Sequence, residues 1–507
     1  MTIKIVSTDI PDDPPTLDPQ RVTDMCSARI LNNVLEGLVR IGPNKSLVPG
    51  MAKDWIISSD ETCYVFNLCN SYWNDGSKVT AYDFEFSWKR NLDPNFNSQY
   101  AFLMYWLKNG EAYHKGQASI DDVGVKAKDE DTLIVTLEKP NPDFVYLTTF
   151  PVFLPVKKGL PDIYGDKFAS SEKYTLFNGP FCIIEWKCGE ELTIEKNSNY
   201  YDHDTINLDR IKWIVIKDAD RLIKMYDEGV LDTIYRVPNE YIRTDFHQFS
   251  NIKTGPDCLT EFLIFNFDIP FFKNEKIRKA LSLSLKRNDL LGDARIIGFK
   301  PAYGLIPPDI AGGVRLVNEE CFREDIYEAK HFFNEGLKEV RIDKGQKIVL
   351  VGENTTQGIQ YMEKITKWWN EVFGIEFEIV ALPLGDRIKR IKRREFDIAM
   401  VHWRADYDDA MSYLELFKTN SSWNYSHWSD TQYDLLLDNC ENRTDEHRNA
   451  RLAQAERLLL SAMPLCPIYY QVRPTLLKPN LKDLVYSGIG CDQSFKWAKK
   501  ELISKEG

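Results

Sequence analysis

Between Gln346 and Val401 the chain alternates between short apolar runs and longer stretches with helical spacing. Gln346 to Val351, Ile375 to Ala381 and Phe396 to Val401 are rich in Val and Ile and too short for helices. They read as strands buried on both faces. Gln357 to Phe373 and Leu384 to Arg394 separate them as helices, and Gly374 suits the stop of the first. Three strands with two intervening helices predict a doubly wound α/β sheet, and in such sheets ligands bind outside the carboxyl ends of the strands. The third strand runs directly into a polar burst: His402, Trp403, Arg404, Asp406, Tyr407, Asp408 and Asp409. An aromatic ring, a guanidinium and a carboxylate this close together can hold a small charged molecule. The bland alternative is a polar loop after a core strand.

A chain of 507 residues predicts two to four domains, and 43% hydrophobic with 28% charged residues allows large cores. A net charge of −12 argues against nucleic acid or anionic lipid as the main partner. No apolar segment approaches the ~20 residues of a membrane span. The stretch MTIKIVSTDIPDDPP lacks a basic region followed by an apolar one. The chain is therefore expected either to be cytoplasmic or to have lost an export signal. Cysteines stand at 26, 63, 69, 182, 188, 258, 321, 440, 466 and 491, without a C-x-x-C or zinc spacing. Most are expected to be small buried apolar residues, and no metal or cofactor is expected.

No H-E-x-x-H, G-x-S-x-G, phosphate-binding loop or G-x-G-x-x-G occurs, so no catalytic constellation is expected. Asp406, Asp408 and Asp409 could form the acid/base group of a hydrolase or hold a divalent cation, but the flanking glycine spacing is missing. The run Arg387, Lys389, Arg390, Lys392, Arg393 and Arg394 could bind a phosphate or a peptide terminus. Leu384, Ile388 and Ile391 give its helix an apolar stripe, which predicts a solvated basic face instead.

Nearer the N-terminus, Ile3 to Thr8 alternates like a strand, and Ala28 to Val39 has helical spacing with Gly37 as a stop. Tyr64, Phe66 and Leu68 mark a strand, Asn74-Asp75-Gly76 a turn, and Thr80 an N-cap. Ile211 to Lys217, Asp218 to Glu228 with Gly229, and Leu231 to Tyr235 predict a β-α-β unit.

Several blocks then occur in order: LVPGMAKDW, Trp73 to Gly76, VTAYDFEFSWKRNLDP, Asn178 to Trp186, EKNSNYYD, Phe265-Asn266 with Phe271 to Arg287, PAYGLIPP, and PIYYQVRP. Each is weak alone, but the ordered set resembles the solute-binding components of oligopeptide ABC importers, extracellular solute-binding protein family 5. The resemblance spans nearly the whole chain. It implies a two-lobed periplasmic-binding-protein-like fold of class II with an extra subdomain, built on doubly wound mixed sheets joined by a two-strand hinge. Lobe I is expected from residues 1–35, 160–257 and 473–507, with 36–159 appended to it, and lobe II from 258–472. The implied function is capture of oligopeptides in the interlobe cleft and delivery to a membrane ABC permease. The protein would be a monomer without enzymatic activity, periplasmic or lipid-anchored outside the cytoplasmic membrane. Murein-derived peptides, dipeptides or a metal complex are alternative ligands.

The resemblance also implies a site. Trp403, Arg404, Ala405 and Asp406 would offer an extended edge to the peptide backbone, and Asp24, Met25 and Cys26 another. Asp406 matches the family's aspartate in x-W-x-A-D-Y that pairs with the peptide ammonium, and Tyr100 a tyrosine near that end. The chain departs from the family at Arg404, where many members have a small residue or Cys, and at Gln471, where a tyrosine is expected. Leu384 replaces an aromatic, and Ile391 and Met400 replace arginines that hold the peptide carboxylate in some members. His402 and Arg404 could supply the positive charge instead, or Arg404 could simply pair with an acid.

Overall fold

The structure, a computed structural model, describes residues 4–43, 46–141, 143–238, 241, 252–295, 298–310, 323–340, 347–440, 447–489 and 493–501. The chain divides into two compact units, Met1–Gly255 with Arg473–Gly507, and Pro256–Val472.

The first unit holds a four-stranded sheet ordered Ile5–Ile10, Arg210–Val215, Glu191–Lys196, Phe181–Lys187. The first two strands are parallel and the rest antiparallel. The expected β-α-β unit is only partly present. Its helix is Ala219–Asp227, capped by Asp218, which accepts from the Arg221 N–H at 2.7 Å. Gly229, at φ +77°, follows the helix. The next strand, Thr233–Ile234, does not return beside Arg210–Val215; its ladder is with Leu476 and Leu477. Ile5–Ile10 already occupies the open edge of Arg210–Val215, and the Asp232 N–H donates to the Ser7 carbonyl instead.

A second sheet in this unit is antiparallel, ordered Ala52–Ile57, Cys63–Leu68, Thr132–Thr136, Val125–Ala127. Tyr64, Phe66 and Leu68 face its core as their alternation predicts. Gly76 takes φ +84° in the expected turn. Thr80 caps the helix Ala81–Leu92, with the Asp83 carboxylate accepting from the Thr80 N–H at 2.8 Å.

The helix expected over Ala28 to Val39 is instead Met25–Val34, and Val39–Ile41 is a strand. The spacing was apolar enough to continue; tertiary contacts stop it. Asn178 is fully buried and clamps Glu36, accepting from its N–H at 3.0 Å and donating to its carbonyl at 3.1 Å. Those are the groups a longer helix would have used. Gly179 fits against the same corner, where an added Cβ would lie 2.5 Å from the Val34 carbonyl carbon. This gives the Asn-Gly pair of the Asn178 to Trp186 block a physical reason.

The sheet of the second unit runs Leu465–Leu477, Ile252–Phe265, Ile398–Arg404, Ile348–Glu353, Phe377–Leu382. The last three are the predicted strands, mutually parallel with Ile348–Glu353 in the centre. Helices Thr356–Phe373, closed by Gly374 at φ +71°, and Leu384–Lys392 connect them. Ile252–Phe265 is antiparallel to Ile398–Arg404, so the sheet is mixed. Along Ile252–Phe265 and Leu465–Leu477 the chain passes from one unit to the other.

Substituting Gly179→Ala should cost about 1–3 kcal/mol, the usual range for forcing a methyl into packed backbone. Thermal unfolding would show it. A variant as stable as wild type would mean that the corner at Val34 yields freely.

Candidate functional site

The polar burst is not a loop from His402 onward. The strand continues to Arg404, because pairing with the neighbouring strand persists through Glu261–His402, Thr260–Trp403 and Leu259–Arg404. The Ala405 N–H still donates to the Cys258 carbonyl at 3.0 Å, and the Asp406 N–H turns to Ser412 Oγ at 2.9 Å. On its other side the strand pairs with Ile348–Glu353 only at Ile398 and Ala399. Beyond Ala399 that side of the strand has no ladder partner among the described residues; the N–H groups of Ala405 and Asp406 are already used.

Asp406 is half-buried, and no donor or cation of the described residues reaches its carboxylate. Burial alone pushes its carboxyl up to about 7. Glu415 is also held up to about 7, by burial first and then by Asp406, and accepts from the Tyr407 hydroxyl at 3.1 Å. Trp403 stands edge-on to Trp423 with ring centres 5.0 Å apart, and its indole N–H is buried without a hydrogen-bond partner.

The neighbouring charges are committed. Arg404 pairs neither with Asp406 nor with an open position: its Nη1 lies 2.7 Å from Oδ1 of Asp257, which is fully buried. Asp409 receives two parallel bonds from Arg448, at 2.8 Å each, and both side chains are buried. That removes Asp409 from the hydrolase grouping of Asp406, Asp408 and Asp409, and no cluster able to hold a metal exists among the described residues. His402 does not supply positive charge. Lost hydration, and then the Arg387 guanidinium, hold its imidazole down to about 4.

Arg387 corrects the expectation of a solvated basic face. Lys389, Lys392 and Arg393 are exposed, but Arg387 is buried beside Ile391, while Ile388 points outward. Its Nη1 is 3.8 Å from Oε2 of Glu353, at the end of the Ile348–Glu353 strand. Glu261 is buried on the neighbouring strand, 3.6 Å from His402 Nδ1. The sequence reading missed Glu353 and Glu261, and took Arg387 for part of a solvated face. Arg387 could have been found as the residue between Leu384 and Ile391 on one helix face, and Glu261 as the lone charge in CLTEFLIF. Met400 and Ile391 are core residues. The Leu384 side chain lies outside the described residues.

Gln471 is half-buried in the middle of Leu465–Leu477. In the other unit, Tyr100 is half-buried between Phe102 and Phe150. The segment Asp24 to Cys26 is not an extended edge. Asp24 caps a helix by accepting from the Ser27 N–H at 2.8 Å, and Met25 and Cys26 form its first turn. Burial raises the Cys26 thiol to about 12 and its Sγ faces the Asp12 carbonyl at 3.1 Å. Most thiols are not fully buried. Only Cys258, Cys440 and Cys466 are, Cys188 is exposed, and Cys321 and Cys491 lie outside the described residues.

Over residues 46–425 the sequence matches the family described as bacterial extracellular solute-binding proteins, family 5 Middle. The chain belongs to this family. Among its relatives, the dipeptide-binding protein DppE of Bacillus subtilis is 31% identical over 98% of this chain and 92% of its own length. The oligopeptide-binding protein OppA of the same organism is 30% identical over 95% and 90%. The solved substrate-binding domain of an oligopeptide ABC transporter from Bacillus anthracis is 29% identical, with TM-score 0.81 over 99% of both chains. The family 5 fold therefore covers the whole chain. Among the described residues no helix is long and apolar enough to cross a membrane.

Arg404→Met would leave the fully buried Asp257 without its guanidinium. The expected loss is about 3–5 kcal/mol, and Arg404→Met with Asp257→Leu should recover most of it. Urea unfolding checks this. A fully stable single variant would show that the pair is dispensable to the fold.

Proposed function

We propose that this protein captures peptides outside the cytoplasmic membrane, as a monomer in the periplasm or on a lipid anchor, and delivers them to an ABC permease without chemical change. The observation that carries the reading is Asp406. Around it Arg404 is matched by Asp257 and Asp409 by Arg448, yet its own carboxylate has no donor among the described residues. A half-buried carboxylate beyond a strand end suits a ligand ammonium. Relatives named for dipeptide and oligopeptide binding agree with this chemistry. The main-chain edge beyond Ala399 serves any peptide sequence alike, since every peptide offers the same backbone.

Asp406→Asn should weaken binding of a free peptide by about 2–5 kcal/mol. N-acetylation should weaken binding to wild type similarly, and the two losses should not add, because both remove one interaction. Calorimetry with acetylated and free forms of one peptide decides it; equal affinities would remove Asp406 from this role.

A pH profile follows. Asp406 must be ionised to hold an ammonium, and in the free protein its carboxyl sits at about 7. Affinity should therefore fall as pH drops below 7, approaching tenfold per unit, with proton release on binding. Above about 8 it should fall again as the peptide amine, with an ordinary value of about 7.7–8.0, loses its charge. A profile flat between pH 5 and 7 would contradict the assignment.

A further inference from the structure

We infer that Glu261, with Glu353 and Arg387 around it, is a second ligand subsite of the Pro256–Val472 unit, and that it takes a cationic side chain of the bound peptide, lysine or arginine. The inference rests on the reading of this unit as a peptide site.

Glu261 is only 4% exposed, and its Oε1 has no hydrogen-bond partner among the described residues. The nearest basic atom, His402 Nδ1, is 3.6 Å from Oε2, beyond hydrogen-bond range. Lost hydration and then Arg387 hold that imidazole down to about 4, which disfavours its charged form. Arg387 is the one guanidinium near enough to favour ionised Glu261, but Glu353 lies 3.8 Å from Arg387 and disfavours it. Arg404, on the other flank, is matched by Asp257. Two carboxyls thus share one arginine, and Glu261 is the one left without a countercharge. Buried carboxylates are normally paired. No partner for it remains among the described residues, so the missing charge comes from a ligand, or Glu261 keeps a proton.

The position fits a ligand. Glu353 and His402 sit near the carboxyl ends of adjacent parallel strands, the edge where α/β sheets bind ligands, and Glu261 lies opposite His402. Glu261 and Arg387 are buried, while the side chains of His402 and Glu353 beside them remain 39% and 33% exposed. Asp406 follows His402 by four residues, at most about 13 Å of chain. A peptide held at Asp406 by its ammonium passes that distance with its second to fourth residues. A carboxamide would leave Glu261 protonated and neutral; an ammonium or guanidinium matches its ionised form. In the free protein, burial and Glu353 hold the Glu261 carboxyl well above its usual range, with Arg387 opposing them. Binding of the cation breaks the carboxyl O–H, and the proton leaves to the buffer.

The test uses alanine hexapeptides with a free N-terminus, carrying one lysine or one norleucine at residue two, three or four. Calorimetry on the whole protein should find, at one of these positions, lysine preferred by about tenfold or more, the scale of a charged hydrogen bond. The lysine peptide should also release more protons than its norleucine twin in buffers of different ionisation enthalpy. In Glu261→Gln the lysine-to-norleucine ratio should fall to near one, and in Glu353→Gln it should fall in part. Equal affinities at all three positions in wild type, or a preference that survives Glu261→Gln, would overturn the subsite. Sensitivity to N-acetylation in the same series keeps the two readings apart. If it persists without a lysine preference, Glu261 alone is misassigned; if no free peptide binds, the peptide reading falls and the subsite with it.

Discussion

The antiparallel pairing of Ile252–Phe265 with Ile398–Arg404 is the constraint on which the candidate site depends. Its register sets Glu261 opposite His402 and Leu259 opposite Arg404, and so brings Asp257 to the Arg404 guanidinium. A slip of one residue would turn every one of these side chains to the other face. The pairing also carries the strand further than its apolar run, ending only after the Ala405 N–H reaches the Cys258 carbonyl. The chain then bends under two further restraints, Ser412 on the Asp406 N–H and Arg448 on Asp409. Asp406 is therefore held by neighbours that leave its carboxylate alone.

Around this strand the charges fall into two kinds. Arg404 with Asp257 and Arg448 with Asp409 are ion pairs whose carboxylates are buried. Such pairs contribute little net stability over apolar packing, but they are costly to break. Asp406 and Glu261 are of the other kind, carboxyls taken out of water without a matching cation. Burial favours their neutral forms, so a cationic ligand group both supplies the missing charge and expels a proton. On the proposed reading, ligand binding and protonation are coupled at both positions for the same physical reason.

The local features were legible in the sequence. Three strands and two helices between Gln346 and Val401, the cap at Thr80, the turn at Gly76 and the stop at Gly374 all stand where spacing and turn chemistry put them. The ordered blocks carried the family, and the approach of the third strand to Asp406 was read from its apolar run. These depend on residues a few positions apart, and the period of a helix or strand encodes them directly.

What only the tertiary structure decided depends on partners distant in sequence. Asn178 ends the first helix at Val34, which helical spacing would have extended. Ile5–Ile10 takes the edge that a β-α-β return would have used. Asp257 claims Arg404, and burial of Arg387 takes it out of the basic run its neighbours form. In each case the residue type was visible, but its role was fixed by a competitor for the same hydrogen bond, edge or charge. The sequence alone determined which elements form and which family they belong to. Folding decided which charges are matched within the protein and which are left for a ligand, because matching depends on distance in space.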